Sequence, residues 1–322
     1  MDKNFGNLSS RARDLTGKKD QAETQLWVVA SGKGGVGKTF ISASLGLTLS
    51  KLGHSVIVMD LDLTGANLHT ALGIQPSNLS LRQYFEGTKT LQETVLPTPY
   101  PHLSYIQGFW DCWTPADFSS GLINQLATDI KGLKADYVIV DMSPGSVESH
   151  LALLKAAHEK ILVTTPEPTS IEKTYRFVES FICHSLKAGS QPQAYEEMIK
   201  TLRDHRQRVL NRPFSFRDHL KENPGFQNDL FESLTESPLR LIINTSRSQS
   251  NVDLGYSMKS VCNKYYDLGI DYVGAIDYDN AVWQSVRNRE PVLVAQPFTP
   301  LAGQFLTFCK HLIDPSELRA VI

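Results

Sequence analysis

Cysteine is scarce in this chain and never paired: the four in 322 residues, Cys112, Cys183, Cys262 and Cys309, lie far apart with no C-x-x-C among them. That spacing argues against a zinc or iron–sulfur site built within one chain, and leaves buried thiols in a reducing compartment as the expectation. An excess of one charge is missing too. Lys and Arg number 32 against 34 Asp and Glu, a net charge of -2. Strong, purely electrostatic nucleic-acid binding is therefore not expected, although a local basic patch stays open. No stretch approaches the roughly 20 apolar residues of a membrane-spanning helix, and no apolar run follows the charged start. A cytoplasmic protein is the expectation. Internal repeats, low-complexity segments and heptads are also lacking.

What the chain does have is short apolar strands separated by helical patterns. Trp27 to Ala30, Ser55 to Met59, Leu103 to Gln107, Tyr137 to Val140, Ile161 to Thr165, Leu239 to Ile243 and Tyr272 to Ile276 are mostly rich in β-branched or aromatic residues. Such alternation predicts an α/β fold, a mostly parallel, doubly wound sheet covered on both faces, with ligands at the carboxyl ends of the strands. The length suits one large domain with an insertion.

Between the first strand and the helix predicted from Phe40 to Leu52 lies Gly32-Lys33-Gly34-Gly35-Val36-Gly37-Lys38-Thr39. This fits the G-x-x-x-x-G-K-[ST] phosphate loop of P-loop NTPases. Its glycines let backbone N–H groups turn toward nucleotide phosphates, Lys38 neutralises β and γ oxygens, and Thr39 holds magnesium. Lys33 is a second cation, placed to reach phosphates on another copy of the protein, or else a solvated surface lysine. Hydrolysis of ATP also needs a magnesium-holding carboxylate and a group that orients water. Asp141 ends an apolar strand and is followed by Pro144-Gly145. Asp60 and Asp62 close another strand, and alternation in an extended segment puts both on one side, at a cost unless a cation such as Mg2+ sits near. For Asp62 the alternative is a turn or helix-capping aspartate.

The run Lys33 to Thr39, K-G-G-V-G-K-T, resembles the deviant Walker A ATPases of the MinD and ParA family, nearest its MinD/FlhG branch. The resemblance implies that Lys33 crosses a homodimer interface to the partner's ATP, that Asp62 positions the attacking water, and that Asp60 supports the magnesium shell. Asp60-Leu61-Asp62 with Gly65 and Asn67 is similar to switch I, though these two stand only two apart. Asp141 to Gly145 is similar to switch II, with Pro144 three residues after the aspartate rather than two; the Gly145 N–H would sense the γ-phosphate. Leu72 to Ile74, Thr164 to Thr169, Pro291 and Pro297 continue the likeness. Asn244 matches an asparagine that reads adenine with its amide. In Ile276-Asp277-Tyr278-Asp279, Asp277 replaces a base-packing proline, and a hydrogen bond from it to base or ribose would take that contact's place. The likeness covers about residue 25 to 313.

Residues 1–24 are polar, with Phe5, Leu8, Ala12 and Leu15 at helical spacing and Asp20-Gln21-Ala22 echoing a partner-activating D-Q-A segment of the FlhG type. They are expected to be a flexible or partner-binding extension to an ATPase domain over 25–322. A helical insertion is expected at about 187–238, as a solvated cap or a docking surface. The resemblance implies a slow, partner-stimulated ATPase, a switch that dimerises on ATP and positions a cellular structure or partner protein. A ParA-type DNA-segregating ATPase is the alternative, and a metal-cluster carrier of the nitrogenase iron protein or Mrp type is disfavoured for want of paired cysteines. A tyrosine autokinase would need a C-terminal tyrosine cluster. The end of the chain has Pro315, a lone Arg319 and opposing Asp314 and Glu317, so no C-terminal membrane anchor is expected.

Overall fold

Runs such as Trp27-Val28-Val29-Ala30 alternate their side chains between two apolar layers, and a strand buried on both faces needs helices above and below it. The computed structural model describes residues 23–62, 65–109, 120–187, 192–208, 214–222, 238–266 and 268–314. Its strands are β1 (Gln25–Ala30), β2 (Val56–Leu61), β3 (Val95–Pro97), β4 (Leu103–Ile106), β5 (Tyr137–Met142), β6 (Glu159–Thr164), β7 (Leu239–Ser246) and β8 (Ile270–Asp277). They form one sheet in the order β3-β4-β2-β5-β1-β6-β7-β8. All neighbours are parallel except β3, which runs antiparallel to β4 at the edge. The expected α/β class is the observed one. All seven strands read from the sequence are present; β3 was not among them.

The helices are α1 (Lys38–Lys51), α2 (Leu68–Ala71), α3 (Leu81–Phe85), α4 (Ser120–Lys131), α5 (Glu148–Ala156), α6 (Pro168–Lys187), α7 (Pro192–Arg208), α8 (Phe216–Glu222), α9 (Gln249–Tyr265), α10 (Asn280–Asn288), α11 (Val292–Ala295) and α12 (Pro300–Ile313). On one face Leu126 of α4, Leu153 of α5, Phe177 and Phe181 of α6 and Met258 of α9 pack on Val28, Val140 and Leu162. On the other, Ile41, Leu45 and Leu49 of α1 with Phe305 and Phe308 of α12 pack on Val29, Ile139 and Ile161. Neighbours in sequence thus serve opposite cores, the period-two rule of a strand.

Between β6 and β7, α7 and α8 extend the first of these layers, with Met198, Leu202, Phe214 and Phe216 buried in it. Glu179 of α6, itself buried, accepts from the Tyr266 hydroxyl at 3.1 Å and pairs with Arg206 of α7. α7 and α8 fall within the helical insertion expected at about 187–238. The N-terminal stripe and Asp20-Gln21-Ala22, Cys112, residues 188–191, 209–213 and 223–237 of the expected insertion and the tail beyond Asp314 lie outside the described residues.

The topology places a crevice. β1 lies between β5 and β6, so α1 must cross over β5 to reach β2, while the chain after β6 builds outward on the opposite side. The carboxyl end of β1 is the point where the winding reverses, and there the backbone loops part and leave room for a ligand.

Candidate functional site

The loop after β1 turns through Gly37, whose φ of 93° is the left-handed region open to glycine, and α1 then starts at Lys38. A side chain on Gly32 would collide with the backbone carbonyl of Lys173 in α6, so only glycine lets the loop lie this close. The first turn of α1 contains no acidic side chain, leaving its amide dipoles for an anion. Gly34, Gly35, Gly37, Lys38, Thr39 and Phe40 border a cavity of about 340 Å³ that Asp62, Asn67 and Pro144 also line. Phe40 meets Phe305 edge-on with ring centroids 5.5 Å apart, which fixes the start of α1 on α12. Val36 is buried, and Gly32 and Lys33 flank the cavity without lining it.

Three carboxylates converge on this loop. Register pairs Asp60 of β2 directly with Asp141 of β5, and both are almost wholly buried. Asp60 accepts the N–H of Leu68 at 2.9 Å and that of Asp62 at 3.1 Å, so it closes a turn at the end of β2. The segment is therefore not simply extended through Asp62. Asp141 accepts from Ser42 of α1 at 3.3 Å and lies beside Thr39. Burial pushes both carboxyls up from the usual range, and for Asp60 the neighbouring Asp141 adds to the push. Lys38 is buried as well; loss of solvation lowers its pKa, against the attraction of Asp141 and Asp62.

This constellation fits a divalent cation held together with phosphate. Asp141 Oδ2 is buried without a hydrogen-bond partner among the described residues, beside the Thr39 hydroxyl and a second buried carboxylate. No group of three or more His, Cys, Asp or Glu there could hold a metal alone. Magnesium commonly takes only one or two protein carboxylates and fills its octahedron with phosphate and water.

Lys33 lies on the outer side of the loop. Its ammonium donates to Glu167 Oε2 at 2.6 Å and to Thr169 Oγ1 at 3.2 Å, within the Thr164 to Thr169 run singled out in the sequence. The Gly145 N–H donates to the Ser31 carbonyl at 2.9 Å, tying the turn after β5 to the phosphate loop. Asn244, at the end of β7, donates Nδ2 to the Val36 carbonyl at 2.8 Å and accepts the Thr245 N–H at 2.9 Å. These bonds leave one amide hydrogen and one lone pair of Asn244 unused, though the residue is buried and does not line the cavity. Asp277 is exposed, accepts from Gln304 at 3.0 Å and does not line the cavity. The fold thus gathers Gly34 through Phe40, Asp60, Asp62 and Asp141, with Lys33, Gly145 and Asn244 around them and Asp277 outside.

Sequence reasoning did not single out Ser143, His150 or the Glu167 contact. Ser143 donates to Asp62 Oδ1 at 3.0 Å, while the ring of His150 in α5 lies beside the Gly145 backbone. The displaced proline after Asp141 was the available signal for Ser143; His150 lies in no motif. The three described cysteines stand on α6, α9 and α12, the last on the opposite face from the others. Burial pushes the Cys183 and Cys262 thiols up to about 12 and Cys309 upward too, which opposes the thiolate form a metal needs.

A family model described as ParA, NUBPL iron-transfer P-loop NTPase, matches residues 23–188. The antiactivator FleN of Pseudomonas aeruginosa is 30% identical over 282 residues, 85% of this chain and 80% of FleN. The flagellum site-determining protein YlxH of Helicobacter pylori is 29% identical over 192 residues, 54% of this chain and 62% of YlxH. Among solved structures, the septum site-determining protein MinD of Pyrococcus horikoshii, complexed with Mg-ADP, aligns with a TM-score of 0.63 at 21% identity, covering 93% of this chain and all of that one.

Proposed function

The chain belongs to the ParA family of P-loop NTPases, and on that premise we propose that it is a Mg2+-dependent ATPase, a switch that dimerises on ATP and positions a protein partner. The observation that carries this is the buried Asp60–Asp141 pair at the mouth of a phosphate loop, with Lys38 and Thr39 beside it and one Asp141 oxygen unpartnered. Two buried carboxylates side by side are stable as anions only with a cation between or beside them.

In this reading the loop amides and Lys38 bind the phosphates, and Thr39 and Asp141 hold magnesium with Asp60 behind them. Bound magnesium would offset charge on the phosphates. Asp62 orients the attacking water. The Gly145 N–H, now on the Ser31 carbonyl, exchanges that acceptor for the γ-phosphate, and Asn244 reads adenine with its free hydrogen and lone pair. Asp277 does not line the cavity, so a contact from it to the ribose or base needs a nucleotide that extends beyond the cavity. Lys33 must leave Glu167 and Thr169 before it reaches a partner's ATP. Glu167 is largely exposed, so the ion pair it would give up is weak. A ligand that favours the dimer stabilises it by its differential affinity, which makes ATP the switch.

The names of FleN and YlxH support a role in restraining or placing another protein. Domain limits are part of the same proposal: an extension over 1–24, an ATPase domain over 25–322 and an insertion at about 187–238 as the docking surface. DNA segregation of the ParA type is the second reading within the switch class. Iron transfer, the description of the matching family model, is weakened by the three described cysteines, which are separated and buried. Titration calorimetry with MgATP tests the core of the proposal: the wild-type protein binds, and Lys38→Ala binds at least about a hundredfold more weakly. Equal affinity in the two proteins would refute the assignment.

A further inference from the structure

At the site Asp60 is fixed by two loop amides and Asp141 by the first turn of α1, and Asp62, just past the end of β2, sits at the cavity wall with Ser143 among its partners. A carboxylate beyond a strand end sweeps several rotamers unless something fastens it. Ser143, on the turn after β5 and only 7% exposed, is such a fastener. Its hydroxyl lies 3.0 Å from Asp62 Oδ1 and 3.3 Å from the Leu61 carbonyl. One hydroxyl carries one hydrogen, and the nearer, charged acceptor takes the larger share of it.

We propose that Ser143 is a positioning residue for ATP hydrolysis, holding Oδ1 of Asp62 so that the carboxylate keeps the orientation that aims the attacking water. The inference rests on the ATPase reading above and adds to it a named group that acts through Asp62 and touches neither nucleotide nor metal. In the step concerned, the water oxygen bonds to the γ-phosphorus while the bond to the β–γ bridging oxygen breaks. Its electron pair leaves with ADP, the water's proton passes to the phosphate oxygens, and the Asp62 carboxylate accepts the hydrogen bond that aims the water. The same contact joins the loop after β2 to the turn after β5. Rearrangement between Asp141 and Gly145 therefore moves the water-orienting carboxylate with it, and hydrolysis waits on the correct setting of that turn.

Loss of aim without loss of binding is the expected signature, since a misplacement of about 1 Å can cost on the order of a hundredfold in rate. Ser143→Ala is expected to lower kcat about ten- to a hundredfold, with KM and MgATP affinity within about twofold of wild type. Ser143→Thr, which keeps the hydroxyl, restores most of the rate. In an Asp62→Ala background Ser143→Ala has no further effect on kcat. A readout free of nucleotide accompanies these: in urea, Ser143→Ala lowers the unfolding midpoint of the Asp62 protein more than that of the Asp62→Ala protein. Equal loss of kcat in both backgrounds, an unchanged kcat in Ser143→Ala, or equal midpoint shifts would overturn the proposal. Wild-type protein that binds MgATP and does not hydrolyse it would remove the ATPase reading itself and the positioning role with it.

Discussion

Lys38 and Asp62 sit 24 positions apart in sequence and on one cavity wall in space, yet their replacement should fail in different ways. On the proposed reading Lys38→Ala removes the cation that would meet the phosphates, so binding should be lost. Asp62→Ala leaves the cradle, Thr39 and Asp141 in place, so MgATP should still bind while phosphate release, measured under saturating ATP, drops about a hundredfold or more. An Asp62→Ala protein with wild-type turnover would remove it from the reaction. Glu167 acts in the opposite sense. Its ion pair with Lys33 competes with any contact to a partner's phosphates. Glu167→Gln should therefore strengthen ATP-dependent self-association up to about fivefold, the scale of an exposed ion pair, as read by sedimentation. A weaker dimer would show that Glu167 helps to present Lys33 rather than to detain it. Lys33 to Thr39 was legible because a phosphate loop is a local pattern whose spacing is its chemistry. The Ser143 and Glu167 contacts were not legible, because they join residues 81 and 134 positions apart.

At the scale of elements, apolar runs of β-branched residues were enough to locate seven strands, and errors fell at their ends. β2 continues through Asp60 to Leu61 because Asp60 is buried within the ladder, where a sequence reading ends a strand at the charge. β3 is three residues long and ends in proline, too short to show a period, and the four-residue helices α2 and α11 escape for the same reason. The helical pattern over α7 was visible, but its anchoring was not. Glu179 is buried on α6 and meets Arg206 of α7 together with the Tyr266 hydroxyl. Arg206→Ala should leave that carboxylate short of its counter-ion and lower stability by about 1–2 kcal/mol, less than for a fully buried pair because Arg206 is about half exposed. Urea denaturation followed by circular dichroism measures it. An unchanged midpoint would show that α7 is held by Met198 and Leu202 alone.

Across the whole molecule the two ends of the strands do different work. The carboxyl ends carry the site. At the amino ends, Arg240 of β7 meets Glu159 of β6 at 2.7 Å and Asp271 of β8 at 2.6 Å, and His311 of α12 meets Asp271 at 2.6 Å. The hydrogen bond from His311, with Arg240 beside it, holds the Asp271 carboxyl down to about 2. An unfolded aspartate titrates near 4, so this clasp adds stability that is fully present above about pH 4 and is lost as pH falls toward 2. Between pH 5 and pH 3 the wild-type urea midpoint should fall further than that of Asp271→Asn; parallel falls would remove Asp271 from the acid response. No described helix is long and apolar enough to cross a membrane.

Light scattering on nucleotide-free protein, and on protein with magnesium and a slowly hydrolysed ATP analogue, tests the central claim most directly. The account requires a monomer in the first state and a two-fold dimer in the second, with Lys33→Ala remaining monomeric in both because its contact to the partner's phosphates is gone. A mass that does not change with nucleotide, or a Lys33→Ala protein that dimerises like wild type, would contradict it.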